Sequence, residues 1–581
     1  MSDFIESKNL DIMDQDMIED PTFPYKPPCM KCQPIIYSTS LRFHNSDMDI
    51  PFKVFEDPDL KFGTLEIKIR DEIPINNKHI HMLFSIDASG SMSDHCIDGR
   101  NKMTHIKHTL ENMLRIFYEN KDCNISIHVQ SFDSAIKPII NDVYNIRDAN
   151  FSELVSLVNN LNSGGSTNIG LALSAAKEHI NNYSKTNPEH DLYHIFLTDG
   201  EITDGVMDYD ELLSMVPNNC NNIFIGYGSD HDSNLLSYLA RTKGNEYRFI
   251  DALEKAGLVY GEIIHGILYK AIEDVMLVGD NGELYDFMTN SWTKELEIGN
   301  LLSDQRKTIH IRSKTPERCI IKIRGKTIVK TRQYQTINIF ENQTDVFILS
   351  GLIDITTADL DLSIYIFRQK TQELLYEARK FSEKYKKNNS YDYLRPIETD
   401  DVDIAVSENI ETEKRSMKEK LSSFHKITIE FMKKNSLETN SIMKMLCDDI
   451  YIAYKTIGTS VGSMYSCARQ ISNGREQTYM CATLTSQQNN RIARVRQLPV
   501  PQLLRQTNNN NTLTMSDLLT QVLDFSPHKE EISDIDSYMP TQDFLSPFTS
   551  NGVLTLMREV SGNHSIGHST TDNDELLEEH A

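Results

Sequence analysis

Between about residues 78 and 272, short apolar runs alternate with amphipathic stretches at the spacing of strand–helix–strand units. That alternation constrains the fold more than any other feature of the chain. The strand candidates are His81–Ile86, Ile125–Val129, Tyr193–Leu197, Ile223–Gly228 and Tyr247–Ile250. Helical patterns fall at Lys102–Tyr118, Phe151–Leu161 and Ile169–Tyr183, near Tyr209–Met215 and Asn234–Thr242, and at Leu253–Ile272. In the first helix Met103, Ile106, Leu110, Met113, Leu114 and Phe117 form one stripe, as a 3.6-residue period requires. Roughly six strands interleaved with six helices predict a doubly wound α/β fold with a mostly parallel sheet.

In such a sheet the loops beyond the carboxyl ends of the strands converge on one crevice. Asp87-Ala88-Ser89-Gly90-Ser91 leaves the first strand there. Ser, Gly and Asp are also what any tight turn prefers, so the pentapeptide alone decides little. Two more pieces follow. Ser163-Gly164-Gly165-Ser166-Thr167-Asn168 opens a helix, and the strand Tyr193–Leu197 ends at Thr198-Asp199-Gly200. Thr167 and Asp199 therefore stand at the ends of two further elements, as Asp87 does. Their carboxylates and hydroxyls are hard oxygen donors of the kind that suit Mg²⁺ or Mn²⁺.

Asp87, Ser89, Ser91, Thr167 and Asp199 together resemble the metal-ion-dependent adhesion site of the von Willebrand factor type A family. The order Asp-x-Ser-x-Ser, then Thr, then Thr-Asp-Gly is present in full. The resemblance implies a Rossmann-like domain in which both Ser hydroxyls touch the ion directly. The Asp and Thr side chains bind it directly or through water, and one position is left for an acidic side chain of a partner protein. Only two carboxylates face the cation, so it keeps much of its electrophilicity and gains from an external Asp or Glu. That is recognition rather than catalysis. Asp94 stands where some integrin A domains use a second metal, but its neighbour is His95 and not a second Asp. It is read as a solvated surface acid.

Outside the α/β domain, assigned to 77–272, the pattern changes. Residues 1–33 are acidic and then Pro-rich, and are expected to be a disordered leader. Within 34–76, Leu65-Glu66-Ile67-Lys68-Ile69-Arg70 is a half-buried strand. Short strands then recur over 273–390: Val275–Val278, Thr308–Ile311, Cys319–Ile323, Thr336–Phe340, Val346–Leu349 and Leu362–Phe367. They read as a β-sandwich. The strands of 34–76 are predicted to pair into it, which makes the α/β domain an insertion. A helical segment is expected over 403–475, where Ile442, Met445, Leu446, Ile450, Ala453, Tyr454 and Ile457 follow a 3–4 period. Residues 482–581 are Gln/Asn-rich and read as a mostly disordered tail with short helices at Thr514–Phe525 and Leu554–Val560. These helices are either partner-binding segments or residual helicity without function. This order of elements resembles intracellular proteins of the same family that carry an interaction domain after the A domain. Some of those are fused to RING or U-box modules; none is visible here, so ligase activity is not carried over.

The formal net charge of −25 argues against a general nucleic-acid or anionic-membrane surface. No apolar stretch reaches the roughly 20 residues of a membrane span, and Met1–Glu6 has no signal-peptide core. Nine scattered cysteines predict reduced thiols in a cytoplasmic protein. Cys29 and Cys32 are only half of a zinc ligand set. A phosphatase of the haloacid-dehalogenase type needs a second Asp where Ser89 stands. Neither Ser89 nor Ser91 lies in a Gly-x-Ser-x-Gly elbow, and most of the 18 histidines, including His105 and His108, read as surface or boundary residues. The chain is therefore expected not to be an enzyme. Two readings stay open. One is a metal-dependent binding module that docks an acidic partner residue in an intracellular assembly. The other is a structural or virion-associated scaffold with a merely stabilising ion, since the Asn/Ile/Lys bias resembles that of large DNA-virus proteins.

Overall fold

The structure, a computed structural model, describes residues 36–46, 49–69, 79–95, 99–120, 123–228, 231–242, 244–250, 256–327, 345–349, 360–392, 401–459, 462–475, 477, 534–540 and 547–561. The leader with Cys29 and Cys32, the strand expected at Thr336–Phe340 and the helix expected at Thr514–Phe525 lie outside them.

Two strands, β1 (Ile36–Phe43) and β2 (Lys61–Ile69), precede the central sheet. That sheet comprises β3 (His79–Asp87), β4 (Asn124–Phe132), β5 (Ile136–Val143), β6 (Asp191–Thr198), β7 (Asn221–Tyr227) and β8 (Glu246–Ile250). Its order is β5-β4-β3-β6-β7-β8. β3 runs parallel to both β4 and β6, and is buried from Ile80 to Asp87. A parallel strand covered on both faces reads as a continuous apolar run, which is why its sequence stood out. β5 is the exception, an antiparallel edge strand against β4. Its sequence carries Pro138 and no clean alternation, so it gave no strand signal; proline is tolerated at an edge because a donor is not needed there.

The connecting helices are α1 (Lys102–Glu119), α2 (Phe151–Asn159), α3 (Ile169–Thr186), α4 (Tyr209–Met215), α5 (Ser233–Leu239) and α6 (Ala256–Leu268). Asn101, Asn168 and Asp208 cap α1, α3 and α4, each accepting a backbone N–H of the first turn. The stripe from Met103 to Phe117 buries against one face of the sheet, with Ile80, Met82, Ile125 and Ile127.

The chain then forms β9 (Lys270–Asp280), β10 (Glu283–Asp286), β11 (Ser291–Thr293), β12 (Glu295–Leu302), β13 (Arg306–Ser313), β14 (Ile320–Thr327) and β15 (Asp345–Leu349). Two sheets result, β1-β2-β13-β10-β11 and β12-β9-β14-β15. β2 pairs antiparallel with β1 on one side and with β13 on the other, so chain from both sides of the α/β domain builds one sheet. Leu65, Ile67, Ile309 and Ile311 from the first sheet meet Val275, Leu277, Ile321 and Ile323 from the second in one core. β9 already begins at Lys270, ahead of the boundary expected at 273, because Ala271 and Ile272 bury in this core rather than continue α6.

One expectation is overturned. Leu362–Phe367 is not a sandwich strand, and the sandwich does not extend to 390. Ser363 opens α7 (Ser363–Asp392). Over six residues the apolar alternation mimics a strand, but Phe367, Leu374, Leu375 and Ala378 bury along one helical stripe, while Ile366 packs with Phe62 and Leu362. Asp361 fixes the start by accepting from the Ser363 N–H and hydroxyl at 2.8 and 2.9 Å. α8 (Asp401–Lys434), α9 (Ser441–Thr456) and α10 (Gly462–Asn473) complete the layer. It shares one core with the opposite face of the α/β sheet, where Phe249 meets Tyr465 edge to face.

The last helix, α11 (Asn551–Val560), lies against α6. Gly261 makes this contact close: a Cβ there would stand 2.9 Å from the Met557 nitrogen. Leu556 and Val560 join the core beneath α1 and α6. No helix among the described residues is long and apolar enough to cross a membrane. Cys123, Cys220, Cys319, Cys447 and Cys467 are thiols outside any disulfide among the described residues.

Candidate metal centre

Asp87 is the last residue of β3 and Thr198 the last of β6, adjacent strands in register, so Asp87 and Asp199 leave the sheet side by side. The turn after β3 folds back on itself, with the Ser89 N–H donating to Asp87 Oδ1 at 2.8 Å. It is stitched to the loop before α3 by Gly164 N–H to Ala88 O at 2.7 Å and Gly90 N–H to Gly165 O at 3.1 Å. Gly165 adopts a φ of +86°, which brings the loop round close to Asp133. Thr167 is held from the β6 side, its N–H donating to Thr203 Oγ1 at 2.7 Å. The five residues named from sequence thus come from three loops at one sheet edge.

Their polar groups converge. Ser91 Oγ donates to Asp199 Oδ1 at 2.8 Å, and the Ser89 and Ser91 hydroxyls stand 3.1 Å apart. A Cβ on Gly200 would lie 3.5 Å from Ser91 Oγ and 3.6 Å from Thr167 Oγ1, which places Thr167 across the same small space. Asp87, Ser89, Thr167 and Asp199 are buried, and Ser91 is half-buried. Asp94 is exposed on the following turn, as a solvated surface acid would be.

Two partners were not among the site residues named from sequence. Thr198 Oγ1 donates to Asp87 Oδ2 at 2.6 Å. Lys102, the first residue of α1, donates Nζ to Asp199 Oδ2 at 2.7 Å, with both side chains buried. Nothing at position 102 announces a partner 97 residues away. Thr198 does sit inside the recognised Thr-Asp-Gly triplet.

Burial pushes the Asp87 carboxyl up to about 6, and the Asp199 charge adds to the rise; the hydrogen bonds from Thr198 and Ser89 oppose it. Lys102 neutralises Asp199, whereas the donors to the Asp87 carboxylate, the Ser89 N–H and the Thr198 hydroxyl, are neutral. A hard divalent cation would supply the missing positive charge. Two carboxylates and three hydroxyls within one cluster are the oxygen donors such an ion takes, so the residues fit it. Asp199 Oδ1 faces the hydroxyls while Oδ2 holds Lys102, so the ammonium and an ion can share one carboxylate.

Residues 81–259 match the family model of the von Willebrand factor type A domain. No curated protein matches the chain. Among solved structures, the ArnB paralog VWA2 from Sulfolobus acidocaldarius is similar at 14% identity and a TM-score of 0.39, covering 75% of this chain and 97% of that one. A von Willebrand factor type A protein from Catenulispora acidiphila is similar at 12% identity and 0.40, covering 71% and 89%. The proximal thread matrix protein 1 of the mussel byssus, with a zinc-occupied MIDAS motif, is similar at 19% identity and 0.24, covering 30% and 44%. The family model, spanning β3 to α6 with both carboxylate loops inside it, gives this chain a von Willebrand factor type A domain.

Proposed function

We propose that this domain is a non-catalytic binding module that holds Mg²⁺ or Mn²⁺ through Asp87, Ser89, Ser91, Thr167 and Asp199. The ion then docks an exposed Asp or Glu of a partner protein. The observation that carries the reading is the convergence of these oxygens around a buried Asp87 whose carboxylate accepts from the neutral Ser89 N–H and Thr198 hydroxyl. Neutral hydroxyls leave a bound ion short of negative charge, so it favours an external carboxylate. Hydrolysis fits less well, because Ser91 gives its proton to Asp199 and not to an imidazole. Thiols outside any disulfide support a reducing, cytoplasmic setting.

A second reading rests on the Lys102–Asp199 pair. An ammonium already placed on one carboxylate suits a structural or virion-associated scaffold, in which an ion only stabilises the loop edge. Affinity capture in Mg²⁺ and in EDTA, with wild type, Asp87→Ala and Asp199→Ala, separates the two. The binding module loses its partners in EDTA and in both variants. If Asp199→Ala retains every partner while chelator only lowers the melting temperature, the scaffold reading stands instead.

A further inference from the structure

A second set of ligating side chains lies at the opposite end of the same sheet. His81 sits near the start of β3, six residues before Asp87, so the two sites are about 20 Å apart along the strand. His81 Nε2 stands 3.0 Å from His179 Nε2, which projects from α3. Asp142, on β5, brings Oδ1 to 3.6 Å from the same His179 nitrogen. One ligand atom from each of His81, His179 and Asp142 falls within 4.8 Å of the others. His128 on β4 bonds Asp142 Oδ1 through Nδ1 at 2.9 Å.

From this arrangement we propose a transition-metal site: a borderline divalent ion of the zinc class, bound by His81 Nε2, His179 Nε2 and the Asp142 carboxylate, with water completing the shell. Two nitrogens on one tetrahedral zinc stand about 3.3 Å apart, given Zn–N bonds near 2.0–2.1 Å, so the observed pair needs only a small adjustment. Two imidazoles and one carboxylate are a borderline donor set, unlike the all-oxygen set at the other end.

The surroundings accommodate the tautomer that such a site requires. Ser126 donates its hydroxyl proton to Ile80 O at 3.3 Å and stands 2.8 Å from His81 Nδ1. With that proton on Ile80 O, Ser126 Oγ accepts from a protonated His81 Nδ1, and in this tautomer the Nε2 lone pair faces His179. Tyr183 stacks on the His81 ring with centroids 3.6 Å apart and bonds Ser126 at 2.8 Å, fixing both. Metal-bound histidines are held through their other nitrogen in this way, and His128 orients Asp142 in the same role. Asp142 is 44% exposed, which gives an ion an entry path from solvent.

The competing arrangement is a metal-free hydrogen bond from His179 Nε2–H to His81 Nε2. Titration of the chelator-treated full chain with Zn²⁺, in excess Mg²⁺ and against a chromophoric chelator, separates the two. The site predicts one Zn²⁺ equivalent that persists in Asp87→Ala and weakens at least tenfold in both His179→Ala and Asp142→Asn. Co²⁺ in its place should give visible bands shifted by His179→Ala. Asp142→Asn alters an exposed side chain, so it remains informative if His179→Ala does not fold. Zn²⁺ affinity unchanged in Asp142→Asn, or an equivalent lost only in Asp87→Ala, overturns the proposal.

Discussion

The two ends of the central sheet hold their polar groups by different means. At the carboxyl end, Asp87 closes β3 while Ser89, Thr167 and Asp199 sit on loops, and backbone bonds such as Gly164 to Ala88 hold those loops together. At the amino end, His81, His128 and Asp142 stand on three neighbouring strands, and His179 comes from a covering helix. The first set is a buried anion cluster only partly neutralised by Lys102. The second is a cluster of imidazoles, with His81 and His179 stacked at 5.2 Å between centroids and His128 tilted against His179 at 4.2 Å. Loops deliver oxygen donors to a small space, whereas strand registry delivers rings at fixed spacing. One end lacks positive charge and the other resists gaining it.

Proton linkage should expose that opposition most strongly. Burial, reinforced by the neighbouring His179, His128 and His190, holds His81 down to about 3. His179 is held to about 4 by burial and His128, and His194, between Ser85 and Asn222, to about 4 by burial. An unfolded histidine takes up its proton near 6.5, so in this window the unfolded state binds more protons. The stability these groups lend is complete above pH 6.5 and is lost as pH falls toward 4. At pH 5 each costs roughly 2 kcal/mol relative to neutrality. Asp87 has the opposite sign: its folded carboxyl is raised, so its contribution favours folding as pH falls from about 6 toward 4. Urea unfolding from pH 7 to 5 should show a steep net loss, and a flat profile would break the comparison.

Lys102→Met tests the carboxyl end alone. It leaves Asp199 buried without its cation, which costs about 3–5 kcal/mol when a buried pair loses one partner. Mg²⁺ should restore part of this, because the ion neutralises the same carboxylate. Melting curves in EDTA and in Mg²⁺ give the answer; a loss equal in both sets Lys102 apart from the ion site. Asp87→Asn should abolish the thermal shift that Mg²⁺ gives wild type, about 2.7 kcal/mol at a hundredfold excess over Kd. The shift given by Zn²⁺ should survive.

The two ends were unequally legible. The loop site was readable because two of its pieces follow buried strands directly and the third opens a helix, so chain order and sheet topology place Asp87, Asp199 and Thr167 together. Lys102 escaped because its meaning lies in a partner far along the chain. The histidines escaped for the same reason: 81, 128 and 179 lie on three separate elements, and His128 and His179 are each one polar residue among several, beside Ser126 and Gln130 and beside Lys177, Glu178 and Asn181. β5 carries Asp142 and, being a Pro-bearing edge, was itself not visible as a strand. The fold followed a similar rule. Doubly buried β3 and the striped α1 were plain, while Leu362–Phe367 misled because six residues of alternation cannot separate a strand from the first turns of a long helix. Leu554–Val560 was read as helical, yet its seat on α6 depends on the small side of Gly261, a feature that only a partner helix reveals.

The smallest expected effect gives the finest discrimination. Ser126 touches no ion in the proposed amino-end site; it only fixes the His81 tautomer and, through Tyr183, the plane of the ring. Ser126→Ala removes that hold and frees His81 to protonate Nε2 instead, which withdraws a lone pair from the site. Loss of such an outer-shell partner weakens metal binding by about tenfold to a hundredfold. The Mg²⁺ shift should be unchanged, since no loop of the carboxyl end moves. Zn²⁺ titration of Ser126→Ala beside Asp142→Asn should rank the two losses, the ligand variant the greater. Equal Mg²⁺ and Zn²⁺ losses in Ser126→Ala would mean that the strands transmit the change, and that the two ends of the sheet act as one site.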